Sequence, residues 1–110
     1  MILTEGATML LTPTYHVFEM FKGHQDATRL PIVLQGEAYA FGNEAIPAVS
    51  ASASRNDAGE VLITMCNLNP NHPAELGCNL QGTAGQTVTG RVLTGDTMNA
   101  FNTFEAPETV

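Results

Sequence analysis

"IPAVSASASRNDAGEVLITMCNL", residues 46–68, is the stretch on which the reading of the fold turns. Val49, Ala51 and Ala53 alternate with Ser50, Ser52 and Ser54, the two-residue period of a strand with one covered face. Asn56, Asp57 and Gly59 follow, residues that accept the backbone angles of a tight loop. "EVLITMCNL" then returns with β-branched and large apolar side chains, which suit a pleated, half-covered surface. The pattern predicts an antiparallel hairpin.

The sequence on either side of the hairpin continues the theme. "RLPIVLQGEAYAF", residues 29–41, is strand-like, with Pro31 near its start. Asn69, Pro70, Asn71, His72 and Pro73 predict a loop. "AELGCNLQG" (74–82) and "QTVTGRVLTG" (86–95) predict two more strands, with Gly82, Ala84 and Gly85 between them. "DTMNAFNTFEAPETV" (96–110) has no clear period and reads as loop. Strands of this length and spacing predict an antiparallel β-sandwich.

The beginning of the chain has a different period. "MLL", residues 9–11, reads as a short strand. Thr12 suits a helix N-cap and Pro13 the first helical position, where a missing N–H costs nothing. A helix is expected from Pro13 to Lys22, with Gly23 as its stop. Val17, Phe18 and Phe21 form an apolar stripe on it. So short a helix is marginal in water and needs a surface to cover that stripe.

Composition narrows the function. The chain has 110 residues, enough for one domain with a modest core, and 44% of them are apolar, too many for disorder. Eleven acidic residues face four basic ones, for a net charge of −7. Lys22, Arg29, Arg55 and Arg91 are scattered and form no phosphate-tracking stripe, which argues against nucleic acid and against anionic membrane surfaces as partners. No apolar run reaches the ~20 residues of a membrane span. The first residues lack a basic region and carry Glu5, unlike a signal peptide, a reading that concerns these residues and not a parent chain beginning further upstream. For the parent a cytoplasmic location is expected. The spacing of Cys66 and Cys78 matches no zinc motif; two buried thiols in a reducing compartment are expected, with a bridge between neighbouring strands as the alternative.

Candidate chemical groups are few. His16 and His24 are too far apart for the i, i+4 pair of a helical zinc site, and His72 sits in a Pro-rich loop, so neither metal nor cofactor is expected. No Gly-x-Ser-x-Gly motif is present. Glu37 and Glu44 could approach across a turn, but no apolar pocket is evident that would raise one carboxyl's pKa. Tyr39 and Phe41 stand two apart and share a strand face. They are the pair that would stack on a sugar if the chain were a stand-alone carbohydrate-binding module; a core role for both is the preferred reading.

Three segments carry a family resemblance. "MILTEGATMLLTPTYHVFEMFKGHQDA" (1–27) closely resembles the segment near the end of the catalytic barrel in α-L-arabinofuranosidases of glycoside hydrolase family 51. "IPAVSASASRNDAGEVLITMCNLNP" (46–70) resembles the hairpin of their C-terminal β-sandwich, and "MNAFNTFEAPETV" (98–110) an Asn-Thr-Phe-Glu segment late in it. The three come in family order. The resemblance implies a mainly-β chain: an incomplete, jelly-roll-like antiparallel β-sandwich preceded by one strand and one helix from the end of a (β/α)8 barrel. Residues 1–28 would be the end of the barrel and residues 29–110 a truncated sandwich. Family members continue past the "APETV" position, so the segment is expected to be poorly stable alone, to associate with itself, or to be a fragment of a longer product.

The resemblance also implies an activity for the parent protein: release of terminal arabinofuranosyl residues from arabinan or arabinoxylan by a retaining mechanism. Retention needs two carboxyl groups ~5–5.5 Å apart. Both catalytic Glu of the family lie upstream of Met1, so this chain is expected to hold no catalytic residue and to be inactive alone. The family's acid/base Glu follows Gly-Asn, as Glu44 follows Gly42 and Asn43, but Glu44 falls in the sandwich portion and reads as a solvated loop carboxylate. The implied partners are the barrel upstream, an arabinose-containing polysaccharide or oligosaccharide, and further copies in a homo-oligomer. His16 would pack or hydrogen-bond at the barrel–sandwich interface. Barrel active sites lie at the C-terminal ends of the strands, where Thr12 would stand. In relatives a polar residue near this position, Gln in some, approaches the sugar, which makes Thr12 the candidate substrate-binding residue. Helix capping is its competing role, and one hydroxyl can serve both.

Overall fold

The structure, a computed structural model, describes residues 1–82 and 87–110. Seven strands and one α-helix make up its regular structure among those residues. The strands form three separate sheets, all antiparallel. The mainly-β, antiparallel class expected from the sequence is the one the chain adopts.

β1 (Ile2–Glu5) and β2 (Thr8–Leu11) form a hairpin in which Ile2 faces Leu11 and Glu5 faces Thr8. Gly6, at φ +58°, takes the left-handed turn position that a side chain would strain. The strand expected at 9–11 is thus present, paired antiparallel with a partner that the sequence pattern does not announce. Helix α1 (Pro13–Phe21) follows, with Pro13 in its first turn as expected.

Two expectations at the ends of α1 are corrected. Thr12 occupies the N-cap position with extended backbone, but its side chain makes no capping bond. Its hydroxyl donates instead to the Met1 carbonyl at 2.8 Å, and its oxygen accepts from no helix N–H. Gly23 does not stop the helix in a left-handed conformation; it lies inside a single 3-10 turn, Lys22–His24. A Cβ there would lie 2.8 Å from Leu62 Cδ2, so any side chain at this position requires the leucine to shift.

The central sheet is β3 (Thr28–Arg29), β6 (Val49–Arg55) and β7 (Val61–Asn67), in the order β3-β6-β7. β6 and β7 are the hairpin anticipated above, in register from Val49 opposite Asn67 to Arg55 opposite Val61. Its loop is held by the Asn56 side chain, which accepts from the Glu60 amide (2.9 Å) and donates to the Glu60 carboxylate (2.7 Å). Gly59 supplies the positive φ of +84°. A second hairpin joins β4 (Ala38–Phe41) to β5 (Glu44–Pro47) through Gly42 and Asn43.

Three strand expectations are corrected. Of residues 29–41 only the two ends are strand, in β3 and β4. Leu30 still donates its N–H to the Ala53 carbonyl on β6, but Pro31 lacks an N–H for a ladder, and residues 31–36 form no strand. Residues 74–82 and 87–95 also lack ladders: strand propensity is realised only where a neighbouring strand completes the pairing, and Gly77 and Gly90 weaken each segment further. Ala84, Gly85 and Gln86 lie outside the described residues. The segment 96–110 is irregular, as expected, and folds closely on itself. A Cβ on Gly95 would come 2.7 Å from that of Ala100.

Leu10 is the only buried apolar side chain among the described residues; Ser54, Thr64 and Asn102 are the buried polar ones.

Candidate functional site

Thr12 sits where β2 turns into α1. The Leu11 carbonyl and the Thr12 N–H belong to one planar peptide unit. That unit is held from both sides. The Thr12 N–H donates to the Met1 carbonyl at 3.0 Å, and the Leu11 carbonyl accepts from Asn102 Nδ2 at 2.9 Å. Asn102 Oδ1 accepts in turn from the Val110 N–H at 2.8 Å. Both ends of the Asn102 amide are therefore satisfied, as burial demands. The Thr12 hydroxyl gives its proton to Met1 and keeps its oxygen lone pairs for another donor. Sequence reasoning finds Thr12 and misses Asn102: nothing local in "FNTF" marks a side chain whose partner lies 91 positions away.

A second polar cluster surrounds His24. Its Nδ1 lies 2.7 Å from Ser54 Oγ on β6, and its Nε2 lies 3.0 Å from Thr64 Oγ1 on β7. A neutral ring donates from one nitrogen and accepts at the other, and hydroxyls answer either role. The ring thus joins the 3-10 turn to both strands of the central hairpin. A groove of about 470 Å³ opens beside it, lined by Phe21, Leu30, Ile32, Leu34, Arg29 and one side of β6. A Ser–His pair at this distance resembles half of a hydrolytic triad. However, Nε2 faces a threonine and not the carboxylate that orients a catalytic imidazole. The cluster satisfies buried hydroxyls and clasps two elements.

The other candidates disperse. Glu44 is the first residue of β5, opposite Phe41, and not a loop residue, though it is solvated as expected. Glu37 stands at the far end of that hairpin, where its carbonyl accepts from Ala48. Four residues of strand, about 13 Å of backbone, separate their positions along the hairpin, so the two are not paired across the turn. Phe41 is 80% exposed, which overturns a core role for it within this chain; Tyr39, on the same face, is half-buried. Cys66 and Cys78 are free and exposed, against the expectation of buried thiols, because their segments have no covering layer. His16 packs edge-on against Tyr15 at 5.5 Å, in a shallow pocket shared with Met20, Arg91 and Val110. The His72 carbonyl accepts from the Asn67 side chain. Among the described residues no three His, Cys, Asp or Glu side chains gather as a metal site, and no helix is long and apolar enough to cross a membrane. Lys22, bonded to Glu19, holds that carboxyl below its ordinary value of 4.5. The Glu105 carboxyl is lowered by its own backbone amide and by the Thr103 hydroxyl.

The whole chain, residues 1–110, matches the family described as the α-L-arabinofuranosidase C-terminal domain. It is 42% identical, over its full length, to an intracellular exo-α-L-arabinofuranosidase from Bacteroides ovatus, of which it spans 22%. The crystal structure of the family 51 arabinofuranosidase from Xanthomonas axonopodis pv. citri superposes on 99% of the chain with a TM-score of 0.91 at 40% identity. The chain again spans 22% of that protein. By an unbroken sequence match, a shared fold and identity at this level, the chain belongs to the α-L-arabinofuranosidase C-terminal domain family.

Proposed function

We propose that this chain is the C-terminal portion of a family 51 α-L-arabinofuranosidase that removes terminal arabinofuranosyl residues from arabinan- or arabinoxylan-type hemicellulose with retention of configuration. The full-length identity of 42% to an exo-acting arabinofuranosidase is the observation that carries the reading. The chain's own part is structural: residues 1–28 complete a catalytic barrel and residues 29–110 form a sandwich portion that braces it. Neither catalytic Glu lies in this chain, and the barrel upstream supplies both. Thr12 reaches the sugar with its free lone pairs. The exposed stripe of α1 packs on the barrel, and further apolar surface joins copies into a homo-oligomer. A cytoplasmic location and a role in L-arabinose metabolism follow the intracellular relative.

An antibody raised to residues 56–70 tests this by capturing the gene product from its native source. The expected product is several times heavier than 11.7 kDa and cleaves an aryl α-L-arabinofuranoside, whereas the pure 110-residue chain does not. An 11.7 kDa product, or turnover by the pure chain, refutes the reading.

The exposure of Phe41 beside Tyr39 favours a second reading, a carbohydrate-binding module that stacks a sugar on β4. It requires that the chain bind arabinan and that Tyr39→Ala abolish binding. No binding by the unmutated chain eliminates it.

A further inference from the structure

We infer that Asn102 is a positioning residue for the substrate contact made by Thr12, an inference that rests on the reading of Thr12 proposed above. The direction of the Thr12 side chain follows from the tilt of the peptide plane between Leu11 and Thr12, because that plane sets the φ of Thr12. Its N–H edge is tied to the Met1 carbonyl and its C=O edge to Asn102 Nδ2. Without Asn102 the C=O edge has no partner, and this end of β2 is held through Met1 alone, which takes both the N–H and the hydroxyl of Thr12. Asn102 is itself fixed, since it is buried and its Oδ1 accepts from the Val110 N–H. The Val110 side chain lies against the Gly95 position, where a Cβ would stand 3.4 Å from Val110 Cγ2. The irregular segment 95–110 thus acts as a brace on the end of β2. An aspartate would keep the acceptor for Val110 but set a carboxylate oxygen against the Leu11 carbonyl. Asparagine alone, at this length, offers both a donor and an acceptor.

The test is a double-mutant cycle in the gene product as the cell makes it, assayed on an aryl α-L-arabinofuranoside. Thr12→Ala and Asn102→Ala are each expected to raise KM about five- to tenfold, the effect of one lost hydrogen bond, with kcat little changed. The double variant is expected to match Thr12→Ala alone, because Asn102 acts through Thr12. Asn102→Asp, which removes only the donor, serves if the alanine variant does not fold. A change in melting temperature with KM unmoved leaves Asn102 purely structural and overturns the inference. So does an Asn102 effect that persists undiminished beside Thr12→Ala. If Thr12→Ala leaves KM unchanged while the enzyme is active, the substrate role of Thr12 fails and the inference falls with it. A product without arabinofuranosidase activity overturns the functional reading itself, a distinct result.

Discussion

His24→Ala should loosen the central hairpin from the 3-10 turn, and the structure sets the size of the effect. The ring makes two hydrogen bonds, to Ser54 and Thr64. Each such bond contributes about 1 kcal/mol net, and a buried hydroxyl left without a partner costs about 1–3 kcal/mol. Ser54 and Thr64 are only 4% and 7% exposed, so both would be stranded. The groove beside Ser54 admits water, which relieves part of that penalty. The expected cost is about 2–4 kcal/mol. Amide hydrogen exchange in β6 and β7 reads it locally, and at about 1.4 kcal/mol per decade exchange should accelerate roughly 30- to 700-fold. A companion variant separates this cause from lost packing. Removing all three polar groups with His24→Leu, Ser54→Ala and Thr64→Val leaves no stranded hydroxyl and should recover much of the loss. Exchange that His24→Ala speeds less than about threefold would refute the clasp.

Two further outcomes follow from single contacts. Gly23→Ala should cost about 1–2 kcal/mol, through the 2.8 Å approach of its Cβ to Leu62 Cδ2, and Leu62→Ala should relieve that strain in a double-mutant cycle on denaturation midpoints. The Lys22 partner depresses the Glu19 carboxyl, so its contribution to α1 is present above the ordinary value of 4.5 and is lost as pH falls through the lower folded value. Acidification below 4.5 should therefore reduce α1 protection more in the native sequence than in Lys22→Gln, read by α1 amide exchange; equal loss in both refutes the pairing.

What was legible in the sequence was what local pattern controls. The β6–β7 hairpin was readable because alternation and an Asn-Asp-x-Gly loop agree on one register. The start of α1 was readable from Thr12-Pro13, since proline's fixed φ and missing N–H suit only a few positions. Local pattern failed where a distant partner decides. Residues 74–82 carry strand-like side chains but no neighbour to pair with. Gly23 resembles a helix stop, whereas it is Leu62, far along the chain, that a side chain there would crowd. His24 and Asn102 bond across 30 to 91 positions, and no periodicity encodes that.

Surface area bears most directly on whether this chain suffices by itself. A compact monomer of 11.7 kDa exposes about 5,900 Å² by the usual scaling of surface with mass, whereas the chain exposes 9236 Å². Its radius of gyration is 16.7 Å where about 13 Å is usual for this length. The excess surface, about 3,300 Å², is not merely polar: Val17, Phe18 and Phe21, the stripe of α1, all lie open, with Phe18 62% exposed. Covering such an area would bury roughly twice as much in total. That exceeds the 2,000–5,000 Å² of most obligate interfaces and far exceeds a transient contact. The arithmetic favours a permanently attached partner surface, as the barrel would be, over a free-standing module that meets its ligand now and then. The isolated 110-residue chain should therefore bind a hydrophobic dye strongly and elute above 11.7 kDa in size-exclusion chromatography with light scattering. The gene product captured from its source should do neither beyond its own defined assembly. A monomeric isolated chain that ignores the dye and melts in one cooperative step would show that the three small sheets and the single buried leucine of the described residues suffice, and would overturn the bracing role.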